Sequence, residues 1–430
     1  MNIALLTSGT RGDVQPFVAL GKALQARGHT VLLHGPDNFA DWVSRHGLAF
    51  HGSGVDTHAF LTTPEARRLV AESWGKLARS WHHHLVPRLD EIFDASLEAC
   101  RDADVIVYHP MIPEAVDIAE ATGARLVLAA TVPGMTTGDF PVIIWARSYG
   151  RWLNRLSYFL FRLYRLRYHK YLDTWRRDRL GLGKGPKLLP VGATRDGWIP
   201  RLSAVSPSVV PRPEDWDDDA HMSGYWFLDE SGDWQPDPEL TAFLDAGEPP
   251  VYIGFGSMTP GDPRRLGEQL LQAIRRAGIR VLIATGWGGI DIDPDDVQDL
   301  IAAQRLHIIR GAPHDRLFPH VRGVVHHGGA GTTAAGLRAG RPTLICPILV
   351  DQPFWGRRVW KLGCGPKPQP LKKLRIDRLA EALRDLATNK SYRQRAEDVA
   401  RGIATEDGVA RAVEVIEGSI PYDKAEPPMQ

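Results

Sequence analysis

Val325-His326-His327-Gly328-Gly329-Ala330-Gly331-Thr332-Thr333 is the stretch on which the reading of this chain turns. An apolar run ends at its first residues, small residues follow, and a helix-forming segment over 331–339 opens from it. Small residues let an anion approach the backbone closely. A helix start adds unpaired N–H groups and a partial positive charge. His327 supplies an imidazole donor for a phosphate oxygen, and Thr332 and Thr333 supply hydroxyls for capping or for the same ligand. The stretch also reads as an ordinary glycine-rich turn with both histidines packed. No lysine follows the glycines, so this is not a Walker A loop, and the G-x-G-x-x-G dinucleotide fingerprint is absent.

Three other turns share the strand-to-loop character. Asp351-Gln352-Pro353-Phe354-Trp355 sets a carboxylate beside an amide, a pair suited to sugar hydroxyls and equally to a solvated turn. Ser8-Gly9-Thr10-Arg11-Gly12-Asp13 follows the first apolar run. Arg11 there suits a phosphate or an acidic neighbour, and Asp13 suits either chemistry or the N-cap of a helix over 14–27. Gly254-Phe255-Gly256-Ser257-Met258 places Ser257 as a phosphate donor or an ordinary turn serine.

Around these turns the chain alternates short apolar runs with helical periodicity. Runs at 2–7, 30–34, 105–108 and 125–130 form a first group, and runs at 251–255, 280–285, 306–309, 323–326 and 342–347 a second. Unbroken apolar runs between helices predict parallel sheets covered on both faces. The fold class is therefore α/β in both halves. The domains expected are 1–205 and 236–405, joined by a Pro-, Asp- and Ser-rich linker over 206–235. A helix over 406–420 and a polar tail over 421–430 follow.

Bulk properties narrow the function. With 430 residues, two domains are the natural division. The net charge of +1 excludes the strong basic excess of a nucleic-acid binder. Three cysteines without a CxxC pair suit a reducing compartment. MNIALLTSGTRGD lacks the features of a secretory signal, so a cytoplasmic protein is expected. His82-His83-His84 reads as a surface run, because consecutive helical residues point in different directions.

Residues 147–179 carry nine arginines and one lysine against two aspartates, interleaved with Trp152, Tyr158, Phe159, Phe161, Tyr164, Tyr168, Tyr171 and Trp175. Two readings stay open: a surface helix with snorkelling arginines, or an interfacial helix in peripheral contact with an anionic membrane or guiding a lipophilic ligand.

Taken together, GTRGDVQP, GYWF, GFGSM, ATGWGG, PHDRLFP, HHGGAGTTAAGLRAG, DQPFWG and EDGVARAV resemble the sterol glucosyltransferase branch of the GT-B glycosyltransferases (family GT1). They are also similar to motifs of bacterial enzymes that glycosylate antibiotic aglycones. The resemblance implies a GT-B fold of two Rossmann-like domains, an N-terminal acceptor domain, a C-terminal nucleotide-sugar domain and a last helix that crosses back. It implies Asp13 as catalytic base. His327, Gly329, Ala330, Gly331, Thr332, Ser257 and Arg11 would hold the donor diphosphate, and Asp351 and Gln352 the sugar. Trp287, Ala312 and His314 would lie near the nucleobase. Two departures bear on the base: Gly311 stands where plant members have a stacking tryptophan, and Arg316 where sterol-like members commonly have one. The implied reaction is inverting, metal-independent transfer of glucose from UDP-glucose, with no further cofactor, to a hydroxyl of a sterol, terpenoid or polyketide. A dTDP-deoxysugar transferase and a non-catalytic nucleotide-sugar-binding module are the alternatives.

Overall fold

The computed structural model describes residues 1–72, 74–145, 147–187, 189–229, 234–256, 262–286 and 289–418. Asn2–Leu6 (β1), Thr30–Gly35 (β2), Ala49–Gly52 (β3), Val105–Tyr108 (β4), Arg125–Ala130 (β5), Arg201–Ser203 (β6) and Ala220–Met222 (β7) form one sheet. Its order is β3-β2-β1-β4-β5-β6-β7, and every pairing is parallel. Burial explains the apolar runs: Ile3 and Leu5 enter the core on one face, Ala4 and Leu6 that on the other. Val251–Gly254 (β8), Val281–Ala284 (β9), Leu306–Ile309 (β10), Gly323–His326 (β11) and Thr343–Ile345 (β12) form a second parallel sheet, in the order β10-β9-β8-β11-β12.

The helices that matter below are α1 (Arg11–Ala26), α2 (Arg151–Ser157), α3 (Phe159–Leu180), α4 (Pro263–Ala277), α5 (Ala330–Arg338), α6 (Gln352–Lys361) and α7 (Gly408–Gly418). α4 shows the local logic plainly. The Asp262 carboxylate accepts from the Arg264 and Arg265 amides at its start, and Gly278 ends it at φ +72°.

Both sheets reverse their strand order once, between β1 and β4 and between β8 and β11. Such reversals open a crevice at the carboxyl ends of the flanking strands, where α/β proteins take ligands.

Two expectations change. The expected linker over 206–235 contains β7, which pairs with β6 and completes the N-terminal sheet. Helix α1 starts at Arg11, not at 14, so Thr10 is the N-cap and Asp13 the third helical residue. The last helix does return to the first domain. Ala412, Val413 and Ile416 are buried in the core that holds Val14, Leu20 and Leu24. The crossing is pinned by Glu406, whose carboxylate accepts from Ser206 Oγ (2.7 Å) and Ser208 Oγ (2.8 Å).

Candidate active site

The decisive stretch runs off the end of β11 into α5. His326 is fully buried; its Nδ1 accepts from the Gly328 amide at 3.0 Å, which fixes the turn. Gly328 sits at φ +98°, and a Cβ there would stand 2.5 Å from Ile345 Cγ2, so no larger residue fits. His327 points elsewhere. Its ring lies over the Gly329 backbone, where an added Cβ would fall 2.8 Å from Nε2. Burial lowers the His327 pKa to about 4, so the ring is neutral at pH 7. Its Nδ1 has no hydrogen-bond partner among the described residues. One histidine thus fixes the turn, and the other holds a buried, unpartnered ring nitrogen among the described residues.

Gly329 is the N-cap of α5 and offers no side-chain cap. Thr333 N–H bonds to Gly329 O, as does Thr333 Oγ1 at 2.9 Å. The Thr333 hydroxyl is therefore spent within the helix. The expected phosphate donors that remain are the amides of Ala330, Gly331 and Thr332. A Cβ on Gly331 would meet nothing within 4 Å, and the residue is exposed, so no side chain of the protein covers this position.

Gly256, beyond β8, lies against His327: an added Cβ would stand 3.7 Å from its Cε1. Gly286, beyond β9, approaches Gly256 so closely that a Cβ would stand 2.7 Å from its carbonyl oxygen. Ser257 and Trp287 lie outside the described residues. Ala312 packs against the core around Phe243 and Leu282. His314 stacks on Phe318 with ring centroids 4.4 Å apart, and burial, chiefly, lowers its pKa to about 4. Both follow β10, on the same edge of the crevice.

Asp351 and Gln352 divide their work differently from expectation. The Gln352 amide oxygen accepts from the Ile348 (2.7 Å) and Leu349 (3.1 Å) amides and is buried. That oxygen clamps the loop in which Val350 adopts φ +53°, a strained conformation for a β-branched residue. Gln352 therefore shapes the loop through its amide oxygen. Asp351 accepts from Trp355 Nε1 at 2.8 Å through Oδ2. Burial raises its pKa to about 6, and the negative charge of Asp13 pushes in the same direction.

Asp13 comes from the other domain, beyond β1. Its Oδ2 accepts from the Thr10 amide at 2.9 Å, the backward half of a capping box. Its Oδ1 accepts from Thr131 Oγ1 at 3.3 Å and lies 3.9 Å from His109 Nε2. One carboxylate oxygen thus serves the capping box, and the other is held by Thr131 beside His109. His109 Nδ1 accepts from the Met111 amide at 3.4 Å, which leaves the proton on Nε2, facing Asp13. Burial lowers the His109 pKa, with Asp13 opposing. Arg11 bonds to Gln15 Oε1 at 3.2 Å and sits 5.4 Å from the Trp42 ring centroid. Its charge reaches His314 across the crevice.

Thr10, Thr131 and His109 were not anticipated as part of this site. The signal for His109 was its place immediately after the apolar run of β4, which the strand order sets beside β1. Phe140 meets Phe354, just beyond Asp351, with centroids 5.8 Å apart, so the loop after β5 also touches the second domain. The arrangement sets a carboxylate beyond β1 of one domain and the start of α5 beyond β11 of the other.

Comparison with known proteins places the chain among its relatives. Residues 3–89 match the Glycosyltransferase family 28 N-terminal domain, and residues 294–417 match the Erythromycin biosynthesis protein CIII-like, C-terminal domain. A sterol 3-beta-glucosyltransferase of Neosartorya fischeri is 34% identical over 99% of this chain and 30% of its own length. Sterol 3-beta-glucosyltransferase UGT80B1 of Arabidopsis thaliana is 32% identical over 98% of this chain and 68% of its own. The chain thus spans less than a third of the fungal relative. Among solved structures, the glycotransferase of kitacinnamycin has a TM-score of 0.69 at 18% identity, covering 98% of this chain and 99% of that one. The calicheamicin glycosyltransferase CalG4 has a TM-score of 0.66 at 20% identity, covering 97% of both. The two parallel sheets make the GT-B fold, and the identity along nearly the whole chain settles the lineage: this protein belongs to the sterol 3-beta-glucosyltransferase family.

Proposed function

We propose that this protein transfers glucose from UDP-glucose to the hydroxyl of a lipophilic alcohol, a sterol or related terpenoid, with inversion and without a metal. One observation carries the reading. The carboxylate after β1 and the start of α5, with exposed Gly331, stand beyond the switch points of the two sheets. The charge of Asp13 is felt at Asp351. The relatives named as sterol 3-beta-glucosyltransferases support the choice of donor sugar and acceptor class.

In this mechanism Asp13 Oδ1 receives the acceptor's hydroxyl proton as its oxygen attacks the anomeric carbon. The bond from that carbon to the diphosphate oxygen breaks, and the diphosphate leaves with the electron pair. Thr131 and the capping bond to Thr10 hold the carboxylate in one orientation. The Ala330, Gly331 and Thr332 amides and the His327 ring stabilise the charge that develops on the diphosphate. Asp351, ionised above about pH 6, accepts from sugar hydroxyls. One displacement with one base inverts the anomeric carbon.

The test is product formation. The protein, UDP-glucose and a sterol are incubated in EDTA, and the glycoside is identified with its anomeric configuration. A β-glucoside supports the reading. No glycoside with UDP-glucose, or an α-glucoside, overturns it. A product formed only from a dTDP-sugar moves the assignment to the deoxysugar alternative.

A further inference from the structure

The segment of α2 and the start of α3 is built inside out. Its inward face is polar: Asn154 and Ser157 are buried, with Asn154 Nδ2 donating to Gly138 O at 2.7 Å and Ser157 Oγ accepting from the Val142 amide at 2.8 Å. Its outward face is apolar. Trp152 is 72% exposed, Leu156 50%, Phe159 40% and Leu163 43%, with Leu153 and Tyr149 beside them. Residues 152, 156, 159 and 163 follow the four-three-four spacing of one helical stripe. An ordinary surface helix has the reverse arrangement, so this stripe faces something other than water.

We propose that this face docks the protein on a bilayer surface that carries anionic headgroups. Charge selects that occupant. Residues 147–172 contain six arginines, one lysine and no acidic residue, in a chain of net charge +1. Arg151 and Arg155 flank the stripe, braced by Asp139 (2.9 Å) and Asp215 (2.7 Å) yet more than half exposed. Cations beside a Trp-, Phe- and Leu-bearing face are the composition of an interfacial helix, and each cation near an anionic leaflet adds to the attraction. A second copy of the chain would set like charges against each other. No described helix is long and apolar enough to cross a membrane, so the contact is superficial. The same segment adjoins the loop that carries Phe140 to the crevice, which would open the site toward the lipid surface. The docking does not rest on the transfer reading: a protein that bound no nucleotide would leave it standing.

The experiment is co-sedimentation of the full chain with vesicles of phosphatidylcholine alone and with one-third phosphatidylglycerol. Binding is expected on the anionic vesicles, with most of it released by high salt. Trp152→Ser with Leu156→Ser should weaken it at least tenfold while the melting temperature stays unchanged. The independent pair Leu153→Ser with Leu163→Ser should behave alike. Absence of binding to anionic vesicles, or equal binding by the wild type and both pairs, overturns the proposal. So does self-association of the wild type that the substitutions abolish, which would make the stripe an interface between copies.

Discussion

Gly331→Ala separates the ligand role of the α5 start from its structural role. Gly331 is the second residue of the helix, and its missing Cβ points into open space. Alanine therefore fits, and its better helix propensity stabilises the fold by roughly 0.5–1 kcal/mol. That corresponds to a rise of about 2 °C in the melting temperature of a domain of this size. If a diphosphate oxygen sits on the first-turn amides, the new methyl stands in its path. Losing a hydrogen bond to a charged group costs about 1.5–3 kcal/mol, or roughly 10- to 100-fold in affinity. Calorimetric titration with UDP and scanning calorimetry of the free protein read the two effects separately. The account requires opposite signs: firmer fold, weaker binding. Raised stability with UDP affinity unchanged would refute the placement of the diphosphate. A lowered melting temperature would contradict the open geometry at this position.

Three further outcomes follow from the site. Asp13→Asn should keep the Thr10 cap through its remaining oxygen and keep UDP affinity, yet lose turnover by a thousandfold or more in a product assay; near-normal turnover would leave Asp13 with capping alone. His327→Ala should weaken UDP binding and lower kcat together, whereas unchanged affinity in the same titration would remove the ring from the donor site. Asp351→Asn should show a pH signature. The folded-state pKa of about 6 lies above that of an ordinary carboxylate, so the folded state holds the proton more tightly, and Asp351 costs stability as pH rises through that value. The variant should therefore be more stable than wild type at neutral pH, by up to about 3 kcal/mol, and equal to it near pH 3. UDP-glucose but not UDP should bind it more weakly. Equal stability across the whole range in chemical denaturation would contradict the burial of that charge.

Much of the fold was legible because parallel strands buried on both faces become unbroken apolar runs, as in β1, β4, β8 and β11. β3, β6 and β7 were not. β3 is only partly buried and carries no apolar run, β6 and β7 have three residues each, and Ala220–Met222 stands among prolines and aspartates, held by pairing with β6. The strand-to-helix turn was legible from its small residues, but the different contacts of His326 and His327 depend on the backbone around them. Adjacent side chains off a strand end point opposite ways, and only the structure shows which one meets Gly328. The structural share of Gln352 was hidden for a similar reason: its amide oxygen accepts from amides three and four residues back. The pairing of Asp13 with His109 and Thr131 depends on strand order, since β1, β4 and β5 are remote in sequence and adjacent in the sheet. The apolar stripe of α2 was visible as aromatic and aliphatic residues, but not the direction it faces.

The central claim is that α5 and His327 form a site for the diphosphate of a pyrimidine nucleotide. The most direct measurement is a calorimetric titration with UDP, dTDP and ADP in EDTA. The account predicts clear binding of UDP, with ADP silent and with the chelator without effect. Binding of ADP alone, or of none of the three, would contradict it and leave the GT-B fold without the function proposed for it.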